Sequence, residues 1–152
     1  MCAGCRSSRI CPHPHGRRAH YPGAAGRRPG ARMHAAIVDS PALAGTLVIG
    51  TDCPLLSPEL LRQAAAGLHQ HDATVVPADD GGYVLIGLRR AAQQVFERVA
   101  WSTAEVMAQT RERLTELNWR WAELSPLWDI DRDADFVRLA ELFPELRTLG
   151  AG

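Results

Sequence analysis

Apolar residues along this chain recur in two rhythms, and the switches between them mark its elements. From Pro29 to Val38 the spacing of Met33, Ile37 and Val38 is helical, and Asp39-Ser-Pro41 ends the run. Thr46-Leu-Val-Ile49 is a continuous apolar run bounded by Gly45 and Gly50, and it predicts a strand over 46–50 buried on both faces. Ser57-Pro-Glu59 then opens a helix over 58–70, with Ser57 as N-cap, proline at the first helical position and an acid in the first turn. Leu60, Leu61, Ala64, Ala65 and Leu68 share one face of it.

Ala73–Pro77 reads as a second buried strand, Ala78–Gly82 as a loop and Tyr83–Leu88 as a third strand. A short helix is expected over 91–98. A longer one is expected from Ser102 or Thr103 to about Leu117, opened by a Ser102-x-x-Glu105 capping box. Trp119–Leu124 alternates as a strand does, and Leu127–Asp131 is extended. Asp131 is placed to cap a last helix over 132–142, which Phe143-Pro144 stops. The order α-β-α-β-β-α-α-β-α predicts a three-layer α/β domain with a mixed sheet.

Composition changes this picture at one end only. At 152 residues one domain with a sizeable core is expected. Residues 1–29 are rich in Arg, Gly, Pro, His and Cys without periodicity, and they read as a disordered segment ahead of a single domain over 30–152. Cys2, Cys5, Cys11 and His13 are zinc-ligand types, but the spacing is irregular and no second pair follows. Residues 1–34 hold seven arginines and no acid, so the rest carries ten basic against 17 acidic groups, a net charge of −7. Such a body argues against nucleic acid as a partner. The absence of lysine excludes Schiff-base chemistry and a Walker-type phosphate lysine. Without an apolar run of spanning length or a secretory segment, the expectation is a cytoplasmic protein with no membrane span.

The chemistry-bearing candidates are acids at strand ends: Asp52, the Asp79/Asp80 pair and the Asp129/Asp131 pair. Carboxylates converging beyond strand ends suit Mg²⁺ or Mn²⁺, which take one or two protein oxygens and fill the remainder with phosphate and water. The bland alternative is capping, with Asp52 serving its own turn and Asp131 the last helix. Gly81-Gly82 permits either close backbone approach to a ligand or a plain tight hairpin. Trp101-Ser-Thr103 flanks a loop and is a candidate pocket wall, while Trp119, Trp121 and Trp128 read as core. Cys53 stands beside Asp52, whose charge opposes thiolate formation.

Taken together, Ile49-Gly-Thr-Asp-Cys-Pro54, Pro77-Ala-Asp-Asp-Gly-Gly-Tyr83, Trp101-Ser-Thr103 and Asp129-Ile-Asp131 before a helix resemble a family of bacterial glycosyltransferase-A-type transferases. These are known as radical-SAM/selenodomain-associated transferases and are similar to the guanylyltransferases of 2-phospholactate and molybdenum-cofactor synthesis. The resemblance covers about Gly30 to Phe143. It implies a nucleotide-diphosphosugar transferase-like fold with a mostly parallel sheet. It also implies metal-dependent transfer from a nucleotide-activated donor, a nucleotide sugar, to a small-molecule acceptor.

Carried over by position, Asp52 and Asp131 are the catalytic acids, and Asp52, Asp129 and Asp131 meet the metal. Thr51, Asp79, Asp80, Gly81, Gly82, Tyr83, Trp101, Ser102 and Thr103 face the substrates. Two departures stand out. Thr51-Asp52-Cys53 holds one acid where glycosyltransferases of this fold commonly show Asp-x-Asp, a pattern closer to nucleotidyltransferases of guanylyltransferase type. Relatives also place a strand, a phosphate-binding loop, a helix and a further strand ahead of the segment matching Gly30. The expectation is therefore an N-terminally truncated member with an open sheet edge. Its alternative role is an inactive scaffold whose open edge is covered by a homodimer or by another partner.

Overall fold

A computed structural model describes residues 28–130 and 133–144. The zinc reading of Cys2, Cys5, Cys11 and His13, the disordered segment up to Arg27 and the placement of Asp131 all lie outside the described residues. The elements run α1 (Pro29–Val38), β1 (Thr46–Ile49), α2 (Pro58–Gly67), β2 (Ala73–Pro77), β3 (Tyr83–Leu88), a 3-10 turn (Gln93–Phe96), α3 (Val106–Glu116), β4 (Trp121–Glu123) and α4 (Asp133–Leu142).

The four strands form one sheet in the order β1-β3-β2-β4. β3 pairs antiparallel with both β1 and β2, and β2 pairs parallel with β4, so three strands share a direction and β3 alone opposes them. This is the mixed sheet the sequence predicts. β2 and β3 occupy its middle, where Val75, Val76, Leu85, Ile86 and Leu88 are fully buried. On one face Val75, Ile86 and Leu88 meet Ile37 of α1, Val95 and Phe96 of the 3-10 turn, and Met107 and Leu114 of α3. On the other, Val76 and Leu85 meet Ala64 of α2, with Leu60 and Leu61 closing over them. Helices thus cover both faces, giving three layers.

The start of α2 follows the sequence signals closely. Ser57 Oγ accepts from the Leu60 N–H at 3.2 Å, Pro58 takes the first helical position, and Glu59 meets Arg62 at 3.1 Å. Two expectations are corrected. The strand at 46–49 is not buried on both faces: β1 lies at the edge of the sheet, its first three residues are half-buried and Ile49 is 46% exposed. Among the described strands nothing pairs with its outer side. Nor does Ser102 open a capping box. It sits at φ 64°, in the left-handed region, so α3 begins four residues later and has no side-chain cap. Thr103 serves the turn instead: its hydroxyl donates to Ala100 O at 2.7 Å and accepts from the Glu105 N–H at 3.3 Å.

Candidate functional site

The β2–β3 hairpin carries the loop Ala78–Gly82 at the end where β1 delivers Thr51 and Asp52. Asp80 Oδ1 accepts from the Gly82 N–H at 2.8 Å, closing an Asx-type turn. Gly81 adopts φ 92°, and a Cβ there would run into the Ala104 carbonyl. Its own carbonyl accepts from the Met107 N–H at 2.8 Å. The loop is thereby clamped to the start of α3, and only glycine fits the clamp. Of the two readings of Gly81-Gly82, the structure shows the tight hairpin turn, and Gly82 also lines a cleft.

That cleft has a volume of about 580 Å³, within the size range of small-molecule sites. It is lined by seven of the predicted site residues: Asp80, Gly82, Tyr83, Trp101, Ser102, Thr103 and Asp129. Tyr83 and Trp101 meet edge to face with ring centroids 6.4 Å apart. Tyr83 donates to Met33 Sδ at 3.8 Å, and burial pushes its hydroxyl well above the ordinary tyrosine range. Gly30 lets α1 lie directly against the Trp101 ring, because a Cβ at that position would come within 2.5 Å of it.

The remaining candidates fall around the rim or beyond it. Thr51 and Asp52 are exposed and do not line the cleft. The Asp52 carboxylate stands beside Gly50, a lining residue, with Oδ1 only 2.8 Å from where a Cβ on Gly50 would lie. The Asp52 carbonyl accepts from the Ile130 N–H at 2.9 Å, which ties the strand-end acid to the segment bearing Asp129. Cys53 records the same juxtaposition. Its thiol is pushed up chiefly by burial and further by Asp129 and Asp52, while the Leu55 and Leu56 amides pull the other way. Asp79 turns to a different hollow with Leu55, Trp128 and Arg138, and its N–H donates to Leu127 O at 2.9 Å.

Asp52 and Asp129 offer hard carboxylate oxygens from adjacent segments, a donor set that suits Mg²⁺ or Mn²⁺ better than a soft metal. Among the described residues, no group of three or more His, Cys, Asp and Glu side chains is gathered closely enough to hold an ion. Asp131, the third acid of the expected set, is outside them.

Sequence reasoning missed the opposite wall. Met33, Ala35 and Ala36 of α1 line the cleft with Val48 and Ile49 of β1, and Arg32 contributes a cation at the mouth. The apolar face of α1 signals core equally well. The one cue is its pair of small residues, Ala35 and Ala36, which leave space above an edge strand.

Residues 1–103 match a family described as uncharacterized proteins conserved in bacteria, DUF2064. The chain belongs to the DUF2064 family. Among solved structures, this DUF2064 protein is similar to a candidate nucleotide-diphospho-sugar transferase from Desulfovibrio desulfuricans G20, with a TM-score of 0.65 and 32% identity. The similarity covers 70% of this chain and 48% of the other, so the DUF2064 chain spans about half the length of that relative. None of the curated proteins matches it. No described helix is long and apolar enough to cross a membrane.

Proposed function

We propose that this protein is a metal-dependent transferase acting on a nucleotide-activated donor, transferring a glycosyl group from a nucleotide sugar to a small-molecule acceptor. The observation that carries the proposal is the tie between Asp52 and Ile130, which sets two acidic segments side by side at the rim of a cleft walled by the Asp80–Tyr83 loop. The similarity to a candidate nucleotide-diphospho-sugar transferase supports the same reading.

Asp52 and Asp129, with Asp131, would hold Mg²⁺ or Mn²⁺, leaving positions for diphosphate oxygens and water. Bound there, the cation supplies Lewis-acid neutralisation of the charge that develops on the leaving diphosphate. The chain's own part is to position and to exclude water. The Gly81 clamp fixes Asp80 at the cleft, and the Tyr83–Trp101 pair with α1 shields the acceptor side.

Nucleotidyl transfer is the second reading, favoured by the single acid in Thr51-Asp52-Cys53. The neighbouring Cys53 offers a soft sulfur, which does not stand in for a second carboxylate toward a hard cation. Calorimetric titration of the full chain with UDP, GDP, CTP and GTP, with and without Mn²⁺, tests the proposal. Metal-dependent binding of a nucleoside diphosphate is the expected result. Preference for a triphosphate would favour the second reading, and no binding by folded protein would reject both.

A further inference from the structure

We infer that β1 is the seam of a symmetric dimer of this chain, in which its free edge pairs antiparallel with β1 of a second copy and α1 lies beside that copy's α1. The inference is independent of the transferase reading, because it concerns association and not chemistry.

The ladder to β3 decides which backbone groups are left over. The Gly50 N–H donates to Val84 O at 2.8 Å, and Val48 stands opposite Ile86. In an antiparallel ladder alternate residues turn both backbone groups to the same neighbour. Thr46, Val48 and Gly50 therefore face β3. The N–H and C=O of Leu47 and Ile49 point away from it, without a partner among the described residues. The two edges of the sheet differ in what guards them. β4 is three residues long and ends in Glu123, gripped by Arg111. β1 has no charge, proline or bulge, the devices that ordinarily discourage pairing. Of the large apolar side chains exposed among the described residues, Val38, Leu43 and Ile49 stand on the unit formed by α1 and β1.

Sequence and charge name the occupant. A twofold axis at Val48 sets Leu47 opposite Ile49 of the second copy and the reverse, so the leftover groups of one edge are the complement of the other. Arg28 stands at the N-cap of α1, Arg32 one turn further on, and Asp39 at the C-cap. Each is at the helix end whose partial charge repels it, and neither Arg32 nor Asp39 makes an ion pair among the described residues. Ala35 and Ala36 line the same cleft as Val48, so the middle of α1 lies beside the middle of β1. The axis then runs α1 antiparallel to its copy and brings Arg32 of each chain level with Asp39 of the other. Formal net charge is zero, so two copies do not repel as wholes. Residues 1–27 are poorer strand material than β1: Ile10 is their one β-branched residue, among three prolines and four glycines.

Sedimentation velocity and amide exchange on the full chain test this. The expected result is a closed dimer with a dissociation constant on the order of 10 μM. The Leu47 and Ile49 amides should be protected above that concentration and exchange below it. Ile49→Pro removes an outward N–H and spares the β3 ladder, so it should leave only monomer. Arg32→Asp and Asp39→Arg should each weaken the dimer about tenfold, and the double variant should restore it. Circular dichroism checks that each variant folds, and if Ile49→Pro does not, the charge pair decides. A chain monomeric at every concentration would overturn the inference, and protected Leu47 and Ile49 amides in that monomer would give the edge to another segment of the same chain. So would a dimer that folded Ile49→Pro leaves intact, a double variant no tighter than the single ones, or growth into larger assemblies.

Discussion

β1 and β2 carry nearly interchangeable sequences, Thr-Leu-Val-Ile and Ala-Thr-Val-Val-Pro, yet stand in opposite situations in one sheet. β2 is flanked by β3 and β4, and Ala73 to Val76 are fully buried. β1 has β3 on one side only, and its apolar residues are left half-covered beside a cleft. The same kinds of side chain contribute packing energy in the first place and the wall of a cleft in the second. Apolar sequence without matching burial is what separates the cleft edge of this molecule from its scaffold.

Mutations should divide along that line. The largest stability effect is expected in the middle of the sheet. Ile86→Ala removes a fully buried side chain packed between α1 and α3, and should cost about 3–4 kcal/mol in urea unfolding. A loss under 1 kcal/mol would mean that the scaffold is not the packed unit described. Gly81→Ala sits on the boundary between the two regions. It combines a strained φ with a collision against the Ala104 carbonyl, so about 2 kcal/mol should be lost. The loop would also shift off α3, which chemical-shift changes at Met107 would report.

The smallest effect is expected at the far edge of the sheet. Arg111 grips Glu123 of β4 through two hydrogen bonds of 2.9 and 2.8 Å, lowering the carboxyl's pKa, with the Trp121 indole N–H adding to the effect. A depressed folded-state value stabilises above the unfolded pKa and is lost as pH falls through the folded one. Glu123→Gln should therefore cost about 0.5 kcal/mol at neutral pH, the pair being partly exposed. Its unfolding midpoint should converge with that of the parent chain in acid, as pH falls through the lowered folded-state value of Glu123 and the glutamate protonates.

The scaffold was readable because its signals are local. Ser57, Pro58 and Glu59 form a helix start within three residues, and the runs at 73–77 and 83–88 flank a Gly-Gly loop that admits a hairpin. The position of β1 was not readable, because an apolar run of four looks the same in the middle of a sheet and at its edge. Ser102 misled for a related reason. Its capping-box spacing is correct, but the Trp101 ring is held by Gly30, Phe96 and Tyr83, and the turn that leaves it puts Ser102 at positive φ. Of the site, the carboxylates and the Asp80–Tyr83 loop could be named from residue type and order. The α1 wall could not, since a helix face that lines a cleft and one that fills a core share the same pattern.

The account rests on Asp52 serving a ligand and not the fold, and one paired measurement addresses that directly. Asp52→Ala should unfold within about 0.5 kcal/mol of the parent chain, because an exposed strand-end carboxylate leaves no cavity behind. The same protein should lose Mn²⁺-dependent nucleotide binding in calorimetry. A variant that binds nucleotide and metal as the parent does would contradict the account. So would one that loses binding only because it no longer folds, since Asp52 would then belong to the turn it occupies.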